Sequence, residues 1–187
     1  MDLLWQGLGQ GLQLIVSGDP QLLQIVALSL TVSLSATVIA ALAGISLGAT
    51  LALGRLPAAG LWQAAINTGM GLPPVVVGLA ISIFLWRTGP LGFLGLIYTP
   101  AAMIAAQIIV ALPIAAGLTR SSLEALDPEL ASALRVAGAS EPRVAYELLR
   151  ASLPQVIVAV SAAFGRAIAE VGESLMVGGN ILGQTRV

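Results

Sequence analysis

The sequence predicts an all-helical, multi-pass membrane bundle, and three observations carry that prediction. The chain of 187 residues is 57% hydrophobic and only 9% charged, where a soluble domain carries about a quarter charged residues to cover its surface. Charge-free stretches run over residues 21–54, 56–86 and 88–119. Each exceeds the ~20 apolar residues that cross a bilayer at about 1.5 Å rise per residue. The charge that is present gathers in one segment, with nine charged residues from Arg120 to Arg150. Helices of a soluble core rarely pass about 20 residues. The strands of an outer-membrane barrel would alternate polar and apolar residues, which these runs do not.

Residues 2–17 read as a short interfacial helix or an irregular lead-in, with Trp5 suited to the headgroup level and Asp19-Pro20 as a break. No basic region precedes the first apolar run, as it would in a cleavable signal peptide; Asp2 and Asp19 stand there instead. The first span is expected over 22–53. Its Gly44 and Gly48, four apart, let a neighbouring helix approach closely, as packing in lipid requires. Arg55 and Pro57 mark a turn. The second span, 61–85, contains Pro73-Pro74, which predicts a kink. The kink has two readings, a bend of structural use only and a border of a substrate path. A loop rich in glycine and proline follows, and the third span is expected over 101–118.

The charged segment, 120–150, is the extended water-facing part. Asp127 is a good helix cap and Pro128 a good first helical residue; Leu130, Ala133, Leu134 and Ala137 fall at helical spacing. Gly138 ends that helix, Ser140 can cap the next, and Val144, Ala145, Leu148 and Leu149 give the second helix its own apolar stripe. The fourth span is expected over 154–177, with a loop from Gly178 to Val187. With the amino terminus outside, Arg55, Arg120, Arg135, Arg143 and Arg150 lie in cytoplasmic connections and Arg87 and Arg186 outside, as the positive-inside rule requires.

Several function classes are excluded. Without cysteine or histidine the chain lacks the usual thiolate and imidazole ligands and the commonest general base. Without lysine it cannot form a Walker A loop. No basic block suggests nucleic acid. An intramembrane enzyme finds no credible catalytic set. A self-sufficient secondary transporter or channel would have only Arg166, Glu170 and Glu173 as groups inside the membrane.

The cytoplasmic segment resembles the coupling loop of ATP-binding-cassette (ABC) importer permeases, whose signature is Glu-Ala-Ala, three residues, Gly, then a spaced Leu-Pro. Gly138-Ala139-Ser140 and Leu153-Pro154 match. Ser132-Ala133-Leu134 stands in the Glu-Ala-Ala position, keeping the central alanine, and Glu129 is the nearby acid. The resemblance implies that Glu129, Ser132, Ala133, Gly138, Ala139 and Ser140 meet an ATPase subunit. Gly71-Leu-Pro-Pro-Val-Val-Val-Gly-Leu79, the run from Gly89 to Pro100, Gly165-Arg-Ala-Ile-Ala-Glu-Val-Gly172 and Met176-Val-Gly-Gly-Asn-Ile181 are similar to the tungstate and molybdate permease group, nearest its tungstate branch.

A homodimeric permease of type I importer fold is thereby implied. ATP and Mg would bind to partner ATPase subunits rather than to this chain, and an external binding protein would select the oxyanion. Permeases of this group continue with a further membrane helix, so the last core helix is expected beyond Val187. Pro73, Pro74, Arg166 and Glu170 are candidates for the translocation path. Arg166 and Glu170, four apart on a helix, are also expected to pair, with Glu173 on nearly the same face.

Overall fold

The computed structural model describes residues 2–54 and 56–187. Arg55, half of the expected turn, lies outside the described residues. Among the described residues there are helices and turns only. In order they are α1 (Asp2–Ser17), α2 (Pro20–Ala52), α3 (Ala59–Gly71), α4 (Pro74–Leu85), a 3-10 turn at Gly92–Leu94, α5 (Pro100–Glu124), α6 (Pro128–Val136), α7 (Glu141–Ala151), α8 (Leu153–Ala169) and α9 (Val171–Gly178).

The helix starts follow local chemistry. Asp19 accepts from the Gln21 and Leu22 amides at 2.9 and 3.0 Å, with Pro20 as the first residue of α2. Thr99 accepts from the Ala102 amide ahead of Pro100, and Asp127 from the Glu129 amide ahead of Pro128. At 33 residues α2 is about 50 Å long, and α5, at 25 residues, is about 37 Å. Both are long and apolar enough to cross a membrane; the bent pairs α3–α4 and α7–α8 bring the number of possible spans to four.

The core is built on α5. Alanines let its neighbours approach: Ala40 of α2, Ala111 and Ala115 of α5, and Ala163 and Ala167 of α8 form one buried cluster. The small-residue expectation at Gly44 and Gly48 holds. A Cβ on Gly44 would stand 2.7 Å from the Ala115 Cβ, and one on Gly48 would stand 2.5 Å from the Ala116 carbonyl oxygen. In lipid, where apolar burial drives little, this contact is held by dispersion between close surfaces.

Four expectations need correction. The span over 61–85 is not one kinked helix: the chain breaks at Leu72-Pro73, and α3 and α4 meet at 106°. Pro73 stands before the first turn of α4 and Pro74 within it, where a missing amide costs nothing. The span over 154–177 is interrupted at Glu170, whose φ of −93° and ψ of 72° leave the helical region. The third span does not stop at Leu118: α5 runs on to Glu124, with Leu123 buried against Ala49 and Val144 and Arg120 paired to Glu124 at 2.7 Å one turn on. Finally, Ser140 precedes α7, but its side chain makes no capping bond.

Candidate functional site

Two regions hold the residues singled out from sequence. One is the helix pair α6–α7. Gly138 takes φ +84°, a left-handed conformation that glycine adopts without strain, and turns the chain between the two helices. Arg135 closes the corner from the other side, donating to Glu141 at 2.8 Å. That hydrogen bond, together with the carboxylate's charge, binds the guanidinium proton more firmly than usual.

The pair is joined to the membrane helices by one apolar knot. Val144 and Leu148 of α7 are buried against Ala49 of α2 and Leu123 of α5, with Ala131, Leu134 and Ala139 packed around them. The α7 stripe is therefore as expected. The α6 stripe is not: Leu130, Ala133 and Ala137 are exposed, and the inward residues are Ala131 and Leu134. Glu129, Ser132, Ala133, Gly138 and Ser140 lie on the exposed side, while Ala139 is half-buried. Val136, 89% exposed, stands at the end of that outer face. Sequence reasoning missed Val136; an apolar residue at the last turn of a charged helix was the available signal. Beside that knot lies a cavity of about 320 Å³, lined by Leu53, Glu124, Asp127, Arg135 and Leu148 among others.

The second region is where the two interrupted helices meet. Val75 of α4 lies beside Gly172 of α9, Gly78 beside Glu173, and Ser82 donates to the Met176 carbonyl at 3.4 Å. These contacts advance together along both helices, so α4 and α9 run parallel and begin at the same level. On the other side of α9, Gln107 of α5 donates to Ser174 Oγ at 3.2 Å. The structure thus brings Pro73, Pro74 and Glu170 to neighbouring helix starts, with Arg166 one turn before the break.

Arg166 and Glu170 do pair, at 3.4 Å and partly exposed. Glu173 does not extend their face along a continuous helix, because the break at Glu170 intervenes. It is fully buried, its carboxylate oxygens have no hydrogen-bond partner among the described residues, and its chain lies against Gly78. Gln107 Oε1 is likewise buried without a partner. Sequence reasoning missed Gln107; a glutamine inside a charge-free run was the signal. A crevice of about 580 Å³ between α4, the 3-10 turn and α5 is lined entirely by apolar side chains, among them Val77, Ile81, Phe84, Leu91 and Ile109, and offers nothing to a charged solute.

Comparison with known proteins finds relatives among transport permeases. The tungstate uptake system permease protein TupB of Peptoclostridium acidaminophilum is 38% identical over 187 residues, all of this chain and 82% of that protein. A probable anion ABC transporter permease protein of Haloferax volcanii is 38% identical over 86% of this chain and 69% of its own length. The molybdenum transport system permease protein ModB of Escherichia coli K12 is 31% identical over 90% of this chain and 76% of its own length. Residues 44–187, from the first close-packing glycine through α9 and the tail, match the binding-protein-dependent transport system inner membrane component family, and the chain belongs to that family.

Proposed function

We propose that this chain is the permease subunit of an ATP-driven importer that moves an oxyanion, tungstate in first place, across the cytoplasmic membrane. The observation that carries the coupling role is the α6–α7 joint. Its outer face, with Glu129, Ser132, Ala133, Gly138, Ser140 and Val136, is free for a soluble partner, while its inner face is packed on the ends of α2 and α5. A push on α6 therefore reaches two membrane helices through one buried contact rather than through a flexible loop. The partner is an ATPase chain that supplies ATP and Mg chemistry. Support for the oxyanion comes from relatives named for tungstate, molybdenum and anion transport.

Two copies enclose the path, an external binding protein delivers the anion, and the amino terminus lies outside, leaving the arginine-bearing α6–α7 segment in the cytoplasm. Pro73, Pro74, Arg166 and Glu170 border the path at the breaks between α3 and α4 and between α8 and α9.

The test is ATP hydrolysis in proteoliposomes holding the complete permease with its ATPase and binding protein, with tungstate, molybdate or sulfate added in turn. Stimulation by tungstate alone is expected. Equal stimulation by molybdate removes the tungstate assignment and keeps the oxyanion. With the complex assembled, no stimulation by any of them overturns the oxyanion reading. Uptake that persists without ATP would instead favour a secondary transporter.

A further inference from the structure

The α4–α9 pair is held firmly at one end and loosely at the other. At the C-terminal end, Leu85 of α4 and Val177 of α9 share one buried cluster with Ala102 and Ala106 of α5. The Tyr98 amide, just ahead of α5, donates to the Val177 carbonyl at 3.0 Å. A Cβ on Gly179 would stand 2.6 Å from the Tyr98 ring, and Thr185, fully buried, ties the tail back to the Gly178 carbonyl.

The N-terminal end, the foot of the pair, differs. There Gln107 of α5 donates to Ser174 of α9 at 3.2 Å. Gln107 Oε1 and both Glu173 carboxyl oxygens are buried without a partner among the described residues. The crevice of about 580 Å³ between α4 and α5 reaches this end at Leu72, Val76 and Ile109. Buried polar groups are paired in nearly all settled packing, and a void forfeits dispersion contacts. The backbone adds little. Pro73 and Pro74 have no amides to donate back into α3, which meets α4 at 106°. The Glu170 amide reaches the Ala167 carbonyl at 3.4 Å, and its φ and ψ leave the helix. The two helices are nevertheless joined to each other, Gly78 against Glu173 and Val75 against Gly172. On the other side, α5 is fixed to α2 at Gly44 and Gly48.

We propose that α4 and α9 form one flap on the α2–α5 pillar, pivoting where Leu85 and Val177 meet Ala102, latched at its foot by the Gln107–Ser174 hydrogen bond, and that the foot leaves α5 in each transport cycle. The inference rests on the ATP-driven permease reading above and adds which helices move. The breaks at Pro73 and Glu170 free the foot from α3 and α8. Lifting it opens a seam beside Pro73, Pro74 and Glu170. Water entering that seam reaches the unpaired atoms of Gln107 and Glu173, which offsets the loss of the latch. Gln107 and Ser174 act as positioning residues.

The chain has no cysteine, so introduced thiols report without background. In the complete complex in proteoliposomes, S174C places a thiol at the foot and V177C one at the pivot, both at buried positions. One hydrogen bond holds an equilibrium by up to about tenfold, so turnover that breaks the latch is expected to speed labelling of S174C by a small water-soluble methanethiosulfonate by about that factor. V177C is expected to stay protected. Equal labelling of both thiols, or of neither, overturns the proposal. Bridging by a short bifunctional thiol reagent then separates the two seams, each bridged protein being compared with its own unbridged form. Joining V75C to G172C, inside the flap, is expected to keep ATP-driven tungstate and molybdate uptake within about twofold, because it ties no moving contact. Joining Q107C to S174C is expected to lower uptake about tenfold or more, with recovery on reduction, because the foot is held on α5. The opposite pattern, or failure of either pair to bridge, overturns the flap. A complex that moves neither oxyanion but labels S174C on ATP turnover overturns the oxyanion reading and keeps the flap; uptake without the labelling contrast overturns the flap alone.

Discussion

Gly78 is set against Glu173 so closely that a Cβ at position 78 would stand 3.1 Å from the Glu173 Cα and 3.2 Å from its carbonyl oxygen. Those are backbone atoms that cannot rotate aside. Gly78→Ala is therefore expected to spread α4 from α9 at a cost of about 1–3 kcal/mol, and Gly78→Val to cost more. The midpoint of thermal unfolding in detergent reads the loss. An unchanged midpoint in both variants would show that the two helices do not touch there.

The α2–α5 contact makes a sharper demand. A Cβ on Gly48 would meet the Ala116 carbonyl oxygen at 2.5 Å, whereas one on Gly165 of α8 meets nothing within 4 Å. Gly48→Val should abolish recovery of folded protein, measured as the monodisperse fraction on size exclusion. Gly165→Ala should leave it intact or slightly improved, since alanine is the better helix former by about 1 kcal/mol.

At the coupling corner the penalty is one of backbone conformation alone. Gly138 has nothing within 4 Å of its missing Cβ, but its φ is +84°. Gly138→Ala should cost about 1–2 kcal/mol at that corner and lower substrate-stimulated ATP hydrolysis. Val136→Asp changes a side chain that is 89% exposed. It should fold as wild type does and lose co-purification with the ATPase. Retained co-purification would place the docking face elsewhere.

The Arg166–Glu170 pair divides two roles. Its 3.4 Å separation and partial exposure make it weak as a structural brace. Arg166→Gln is expected to lower oxyanion uptake with assembly intact. Loss of assembly, with recovery in the Arg166→Gln/Glu170→Gln double variant, would assign the pair to structure.

Much of this arrangement was legible in the residues. Asp127-Pro128 and Gly138 bound α6 because cap, first-turn proline and left-handed glycine act within a few residues of themselves. The long charge-free runs announce α2 and α5 for the same reason, since lipid demands continuous apolar chain. The break at Glu170 was not legible. No proline or turn sequence marks it, and the partners of α9 come from Ser82 and Gln107, far away in the chain. The α6 stripe failed for a related cause. Nine residues make a weak periodic signal, and which side faces inward is decided by Leu123 and Val144 on other helices. Pro73-Pro74 announced a disturbance, but its size depends on the direction in which α4 finds its neighbour.

The parallel pairing of α4 and α9 also bears on how the chain is made. With 13 and 12 residues, α3 and α4 are each about 20 Å long or less, too short to settle alone across a hydrocarbon layer of about 30 Å. The partner that α4 packs along lies 94 residues downstream at the Ser82–Met176 contact. A ribosome that has just finished α4 has therefore released a segment whose final neighbour does not yet exist. Until α9 emerges, that segment must wait at the insertion machinery or on its smaller contact with α5, where Leu85 meets Ala102 and Ala106. Substitutions in α9 should then register first as degradation of newly synthesised chains, ahead of any defect in the mature transporter.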